Sequence, residues 1–204
     1  MKRILFVVVL AIFAFTGCQK TNPVKTIANL KAGYAGESTA SAKYAAFSQK
    51  AMEEGHHAIA KLFEATSKSE SIHAANHLKV LESLGQKVDA IKPEFTVDST
   101  LKNLKAAIDG ETYEVTTMYP QFLTDAKAEK ISKAEQSFNW AVDTEKKHQK
   151  FYADAMDALN SKTQDTFASA YAICPVCGNT YDANAMDAKC AFCQTPNSKF
   201  IMIK

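Results

Sequence analysis

The sequence predicts an all-α fold: a four-helix bundle followed by a small domain organised by four cysteines. Three observations carry this reading. Residues 24–162 are rich in Ala, Lys, Glu, Gln and Leu, which are strong helix formers, with little Gly or Pro inside the segments. That stretch contains an internal repeat of a helix-pair length, and beyond it two C-x-x-C pairs stand twelve residues apart. At 204 residues the chain can build one bundle-sized core and an appendage, but not two ordinary domains.

The N-terminal residues 1–17 stand apart from the fold. Lys2-Arg3, an apolar run over residues 4–15 and Thr16-Gly17-Cys18 follow the charged, apolar, small-residue order of a secretory signal. The run is shorter than the roughly 20 apolar residues that a membrane span requires. Gly17-Cys18 resembles the lipobox of bacterial lipoproteins. That resemblance implies lipidation at Cys18, membrane contact through an N-terminal lipid anchor, and export to the periplasm or cell exterior. An ordinary signal peptide and an uncleaved anchor are the other readings. Without Lys2 and Arg3 the basic and acidic residues balance at 22 each, so no electrostatic footprint for nucleic acid remains.

Punctuation sets the helices. Gly55 follows Glu53-Glu54, Gly85 precedes Pro93, and a polar stretch runs over residues 125–130. The expected helices span 24–54, 56–84, 99–127 and 130–160, with Ser99 as the N-cap of the third. Pro120 lies inside that third helix and predicts a kink or local widening there.

The repeat is specific. Asn29-Leu30-Lys31-Ala32 with Gly36-Glu37 recurs as Asn103-Leu104-Lys105-Ala106 with Gly110-Glu111. Glu70-x-x-His73 follows Glu37 by 33 residues, and Glu145-x-x-His148 follows Glu111 by 34. Each half therefore contributes one Glu and one Glu-x-x-His.

These residues fall on core-facing stripes of alternating three and four spacing. The fourth helix reads Ile131, Ala134, Phe138, Ala141, Glu145, His148, Tyr152, Ala155 and Leu159. The second places Ile59, Leu62, Phe63 and Thr66 before Glu70 and His73, and Leu81 and Leu84 after them. The first gives Ile27, Leu30, Tyr34, Glu37, Ser41 and Tyr44, and the third Leu101, Leu104, Ile108, Glu111, Val115, Met118 and Phe122. Four helices thus aim carboxylates inward near mid-length. Buried like charges survive only with counter-cations, and Lys and Arg are too few on these stripes to supply them. Metal ions answer the need, and oxygen and imidazole donors without thiolates suit iron or manganese. A single Glu-x-x-His is common on charged helices. Two, on core stripes at matched distances from a Gly-Glu, match the established ligand set of ferritin-like di-metal carboxylate bundles.

Glu114, one turn past Glu111, is a candidate fifth carboxylate. Two ferrous ions are balanced by Glu37, Glu70, Glu111 and Glu145, so Glu114 is in excess in a reduced site and should bind best when the metals are oxidised. Neutral His73 can replace it without adding charge. His77 lies one turn after His73 as a supporting or core histidine, Tyr34 and Tyr119 read as core packing residues with hydrogen bonds to the carboxylates as the alternative, and His56 and His57 read as surface residues at a turn.

Cys174, Cys177, Cys190 and Cys193 can close one tetrahedral site over residues 168–204, a length that relies on the metal for much of its folding free energy. Thiolates alone do not choose between structural zinc and redox iron, and two disulfides are a third option in an exported protein. A neighbouring di-metal site favours iron that passes electrons.

Together, Ala35-Gly36-Glu37-Ser38, Glu70-Ser71-Ile72-His73, Gly110-Glu111 with Glu114 and Met118-Tyr119-Pro120, Glu145-Lys146-Lys147-His148 and the cysteine pairs make the sequence similar to the rubrerythrin family over nearly all of its length beyond the signal. The resemblance implies a ferritin-like bundle with a C-terminal rubredoxin-like domain. It implies a non-haem di-iron peroxidase that reduces hydrogen peroxide, a mononuclear iron in the four-cysteine site, and an electron donor that the sequence does not identify. It further implies Glu37, Glu70, Glu111, Glu114, Glu145 and His148 as iron ligands in the oxidised site, with His73 exchanging for Glu114 on reduction. A homodimer, in which one chain's cysteine domain approaches the other's di-iron site, is also implied. Two features depart from the family's pattern: the exported N-terminus, and Thr112-Tyr113 between Glu111 and Glu114. The competing reading is a ferritin-like iron-oxidising or iron-binding protein with a structural zinc ribbon.

Overall fold

The computed structural model describes residues 23–163 and 170–204; residues 1–17, where a signal is expected, and Cys18 lie outside the described residues. Helix α1 spans Val24–Glu53 and α2 His57–Ser83. The third segment of the bundle has three parts: α3 Thr100–Tyr113, a π-helical turn Glu114–Met118, and α4 Tyr119–Ala128. Helix α5, Ser132–Ser161, completes the bundle. Gly55 and Gly85 take positive φ at the turns that close α1 and α2, where a side chain would be strained.

The widening expected at Pro120 is the π turn, and it explains a detail of the repeat. Glu37 to Tyr44 is seven residues while Glu111 to Tyr119 is eight, yet Tyr44 to Glu70 and Tyr119 to Glu145 are both 26. The second copy therefore carries one extra residue between Glu111 and Tyr119, where the backbone widens to hold it. Pro120, lacking an N–H, cannot close the normal α ladder there.

The two helix pairs cap each other. Glu54, at the end of α1, accepts the Thr100 N–H of α3 at 2.8 Å. Glu129, after α4, accepts the N–H groups of Lys25 and Thr26 at 3.1 and 2.8 Å. Ser99 holds the N-cap position but makes no side-chain capping bond, so the expected local cap is replaced by one from across the bundle. Leu101 is also displaced from its expected core role: it is exposed, whereas Asn103 is buried, its amide tying the preceding loop at Asp98.

Along each helix the ligand layer separates two apolar clusters. Tyr44, Phe47, Phe63, Leu104 and Tyr152 form one, and Leu30, Leu81, Tyr119, Phe122 and Phe138 the other. Each fully buried Phe or Leu contributes about 1.5–3 kcal/mol, and together they seal the polar layer from water.

In the C-terminal domain β1 (Tyr171–Ile173) pairs antiparallel with β2 (Thr180–Asp182) and β3 (Ile201–Ile203), in the order β2-β1-β3. This domain sits on α2 and α5 of its own chain. Tyr171 and Ile173 join the bundle's apolar cluster, Ser69 Oγ donates to the Gly178 carbonyl at 2.7 Å, and Asn76 Nδ2 to that of Val176 at 2.9 Å. Among the described residues no helix is long and apolar enough to cross a membrane.

Candidate metal centres

Glu37, Glu70, His73 and Glu145 bring one donor atom each within 4.8 Å of one another, and so do Glu70, Glu111, Glu145 and His148. Glu70 and Glu145 belong to both sets, so the shared carboxylates would hold two ions side by side. All six side chains are buried. Their place follows from the repeat: the core stripe that carries Leu30 or Phe138 brings Glu37 or Glu145, seven residues on, onto the same axis.

His73 Nδ1 lies 2.9 Å from Glu70 Oε2 and 2.8 Å from Glu145 Oε1, and His148 Nδ1 lies 3.0 Å from Glu70 Oε1 and 2.8 Å from Glu145 Oε2. Metal bonds of about 2.1 Å at right angles place neighbouring donor atoms about 3 Å apart. Glu37 Oε2, Glu70 Oε1, Glu111 Oε2, both Glu145 oxygens and His148 Nδ1 are buried without an aligned hydrogen-bond partner, despite the short separations around His148. Orphaned inward-facing donors of this number are costly unless an ion satisfies them. The residues fit a pair of ions.

The electrostatics agree. Burial, then the charges of Glu114, Glu70 and Glu145, push the Glu37 carboxyl well above its ordinary range. Burial, with Glu145, Glu70 and Glu114, does the same to Glu111. Burial opposes charge on both histidines, but the carboxylates of Glu145 and Glu70 outweigh it and carry His73 and His148 up to about 10. Burial would likewise raise Glu70, yet His148 and His73 bring it down to about 2. Positive charge is what this layer demands, and metal ions supply it while leaving the imidazoles neutral.

Glu114, at the start of the π turn, falls outside both donor sets. It is close enough to feel them: burial, Glu145 and Glu70 raise its carboxyl well above the usual range, while Lys43 draws it down. His73, by contrast, stands among the donors.

The carboxylates are held by tyrosines from the opposite repeat. Tyr44 Oη donates to Glu111 Oε1 at 2.7 Å, and Tyr119 Oη to Glu37 Oε1. Tyr119 thus takes the donor role that the sequence offered as the alternative to packing. Tyr44 was read only as a stripe residue; its equivalence to Tyr119 across the repeat is the signal that points to it. His77 is buried, bonded to Ser137 and Tyr119 rather than to the donor sets. His57 is exposed and 3.4 Å from Met52 Sδ.

The four cysteine sulfurs also lie within 4.8 Å of one another. Cys174 and Cys193 approach to 3.4 Å, as do Cys177 and Cys190, and all four are free thiols. Hydrogen bonds from the Cys177 thiol and from the backbone N–H groups of Cys177 and Val176 hold Cys174 down to about 4 against burial. The Cys174 thiol and burial push Cys177 up. One thiolate is stable by itself; four require a cation.

The two centres meet. Gly178, directly after Cys177, has φ +84° and packs on the His73 ring. Thr180 Oγ1 lies 2.9 Å from His148 Nε2. Both histidines thus turn Nδ1 to the carboxylates and Nε2 to the cysteine domain.

Comparison with known proteins accords with this geometry. Rubrerythrin-2 of Clostridium acetobutylicum is 35% identical over 173 residues, covering 84% of this chain and 92% of that protein. Nigerythrin of Nitratidesulfovibrio vulgaris is 34% identical over 191 residues, 92% of this chain and 91% of that one. The structure of nigerythrin in its fully reduced, all-ferrous state superposes with a TM-score of 0.79 at 32% identity, covering 99% of this chain and 100% of that one. An open-pore ferritin from Archaeoglobus fulgidus, at 18% identity and a TM-score of 0.58, shares the bundle fold. The rubrerythrin family model matches residues 28–156, the span that holds every Glu and His of the di-metal site. With its rubrerythrin-type di-iron site and C-terminal four-cysteine site, the chain belongs to the rubrerythrin family.

Proposed function

We propose that the protein is a non-haem di-iron peroxidase that reduces hydrogen peroxide to water in defence against oxidative stress, with electrons relayed through an iron in the four-cysteine site. The observation that supports this most is the seating of the Cys177-Gly178-Asn179-Thr180 segment on His73 and His148. From Cys177 one short route crosses a peptide unit to Gly178 and a packing contact with the His73 ring, and another follows the chain to Thr180 and its hydrogen bond with His148 Nε2.

The balanced reaction takes one peroxide, two electrons and two protons to two waters. Bound iron supplies the two electrons that cleave the O–O bond. Glu37, Glu70, Glu111, Glu145, His73 and His148 hold the pair, Tyr44 and Tyr119 orient Glu111 and Glu37, and the flanking apolar clusters exclude bulk water. In this reading Glu114 would help hold the oxidised pair and His73 the reduced one. The π turn gives Glu114 a backbone free of the regular ladder, as such turns do at other functional sites.

The reading includes a homodimer, an electron donor yet to be identified, and an exported chain anchored through lipidated Cys18. Two chains that exchanged cysteine domains would preserve the contact seen within one chain.

The test is metal content and visible spectrum of protein purified without added metal, followed by anaerobic reoxidation of the reduced form with stoichiometric peroxide. About three irons per chain, thiolate-to-iron bands and two-electron reoxidation are expected, two irons for the bundle and one for the cysteines. Zinc at the cysteines and no reaction with peroxide would favour the ferritin-like iron-oxidising alternative.

A further inference from the structure

A line of hydrogen bonds leads from Glu37 to the protein surface. Tyr119 Oη donates to Glu37 Oε1. His77 Nε2 lies 3.1 Å from the same hydroxyl, and His77 Nδ1 lies 2.8 Å from Ser137 Oγ. Ser137 lines a surface pocket of about 270 Å³, together with Asn76, Lys79, Ser83, Gln136 and Trp140. Glu37, Tyr119 and His77 are fully buried and Ser137 is 4% exposed, so the line is insulated along its length.

The other repeat lacks such a line. There Tyr44 donates to Glu111, but the position equivalent to His77 is Tyr152, four residues after His148 as His77 is four after His73. The Tyr152 hydroxyl turns to Thr66 Oγ1 at 2.5 Å, and Thr66 ends on the carbonyls of Leu62 and Phe63. That chain stops in the core. Holding a tyrosine on a carboxylate therefore does not require a histidine, and the bundle makes room for one at Gly33, where a methyl group would come within 3.0 Å of the imidazole.

We propose that Ser137, His77 and Tyr119 form a proton relay from this pocket to the Glu37 side of the di-metal site. This rests on the peroxidase reading, in which each peroxide consumes two protons. Tyr119 has a single proton, given to Glu37, so His77 must donate from Nε2 to the Tyr119 oxygen and accept from Ser137 at Nδ1. Burial holds the His77 pKa below its ordinary value, which keeps the ring neutral and able to do both. In one passage the Tyr119 proton moves to Glu37, the Nε2 proton to Tyr119, the Ser137 proton to Nδ1, and a proton from pocket water to Ser137. At each link one bond to hydrogen breaks and one forms, so one proton enters and no intermediate group is left charged. One passage supplies one of the two protons that accompany the two electrons, and it leaves the His77 proton on Nδ1.

The experiment reads proton movement separately from turnover. In zinc-loaded protein, nitrogen-15 spectra should show His77 neutral with its proton on Nε2. Ser137→Ala should slow exchange of that proton with solvent about tenfold or more, and Ser137→Thr should restore it. In the iron-loaded protein, reaction of the reduced form with peroxide is followed by absorbance for electrons and by an indicator dye for protons. His77→Gln should retain full iron content yet take up protons about tenfold or more slowly. Exchange unchanged in Ser137→Ala, or proton uptake at the unmodified rate in iron-loaded His77→Gln, would overturn the relay. If the unmodified protein does not react with peroxide, the peroxidase reading fails, and the exchange measurement still decides whether the proton path exists.

Discussion

Gly178 and His73 belong to different domains, yet a methyl group on the glycine would stand 2.3 Å from the histidine's Nε2. The four-cysteine site and the di-metal site are thus in contact through a residue that has no side chain to spare, at a φ of +84° that disfavours any other. Gly178→Ala should lift the cysteine domain from the bundle. The cysteine site should still bind its metal with an unchanged spectrum, while electron transfer to the di-iron site slows and hydrogen exchange rises at the segment following Cys177. An unchanged transfer rate would show that the contact is not the electron route.

Lys147 joins the domains from the bundle side. Its Nζ donates to Asn179 Oδ1 at 2.6 Å and stands 4.2 Å from the Tyr181 ring centroid and 5.1 Å from that of Phe192. Lys147→Met should weaken docking by about 0.5–2 kcal/mol, the worth of a partly desolvated cation on aromatic rings. It should also shift the reduction potential of the cysteine site downward, because a positive charge near the thiolates favours the added electron. Potentiometric titration checks both sign and site, and Lys147→Arg should retain most of the potential.

Glu145 lies in both donor sets, Glu37 and His73 in one, Glu111 and His148 in the other. Glu145→Ala should therefore lose both bundle metals, while Glu37→Ala and Glu111→Ala should each lose one more readily than the other. Metal analysis against an unchanged cysteine-site spectrum measures this. Glu114→Ala should leave the reduced site intact and alter the oxidised spectrum; identical spectra in both states would remove Glu114 from the ligand set.

Hydrogen bonds from Thr100 hold the Glu54 carboxyl down to about 2; of the Thr100 groups, the N–H makes the aligned bond. Because the folded value lies below the ordinary 4.5, the stabilisation is complete above about pH 4.5 and is lost as pH falls toward about 2. Glu54→Ala should cost about 1 kcal/mol or less at neutral pH, given the solvent exposure of the pair. Thermal midpoints of the two proteins, in the same metal state, should converge near pH 2.

The proposed lipidation of Cys18 predicts that the protein fractionates with membranes and that Cys18→Ser abolishes the modification. Mass spectrometry of the N-terminus should find a lipid on Cys18 in the unmodified protein and none in the variant. A soluble, unlipidated parent protein would return residues 1–17 to an ordinary signal.

Helix existence and the clustering of the candidate ligands were legible in the chain because both are periodic. A Glu or His on an apolar stripe announces burial, and a repeat states that it happens twice; Glu37, Glu70, Glu111, Glu145, His73 and His148 all meet as their spacing required. The one-residue difference between the halves was visible too, but only the backbone shows it spent as the π turn beside Glu114. What the sequence could not reveal are contacts between elements far apart in the chain. Glu54 capping α3, Glu129 capping α1, Tyr44 and Tyr119 crossing to the opposite repeat's carboxylate, His77 reaching Ser137, and Gly178 lying on His73 each join residues that no local periodicity relates. Sequence patterns determine which face of a helix is buried; only the packing of four helices and the docked domain decides which partner each buried polar atom finds.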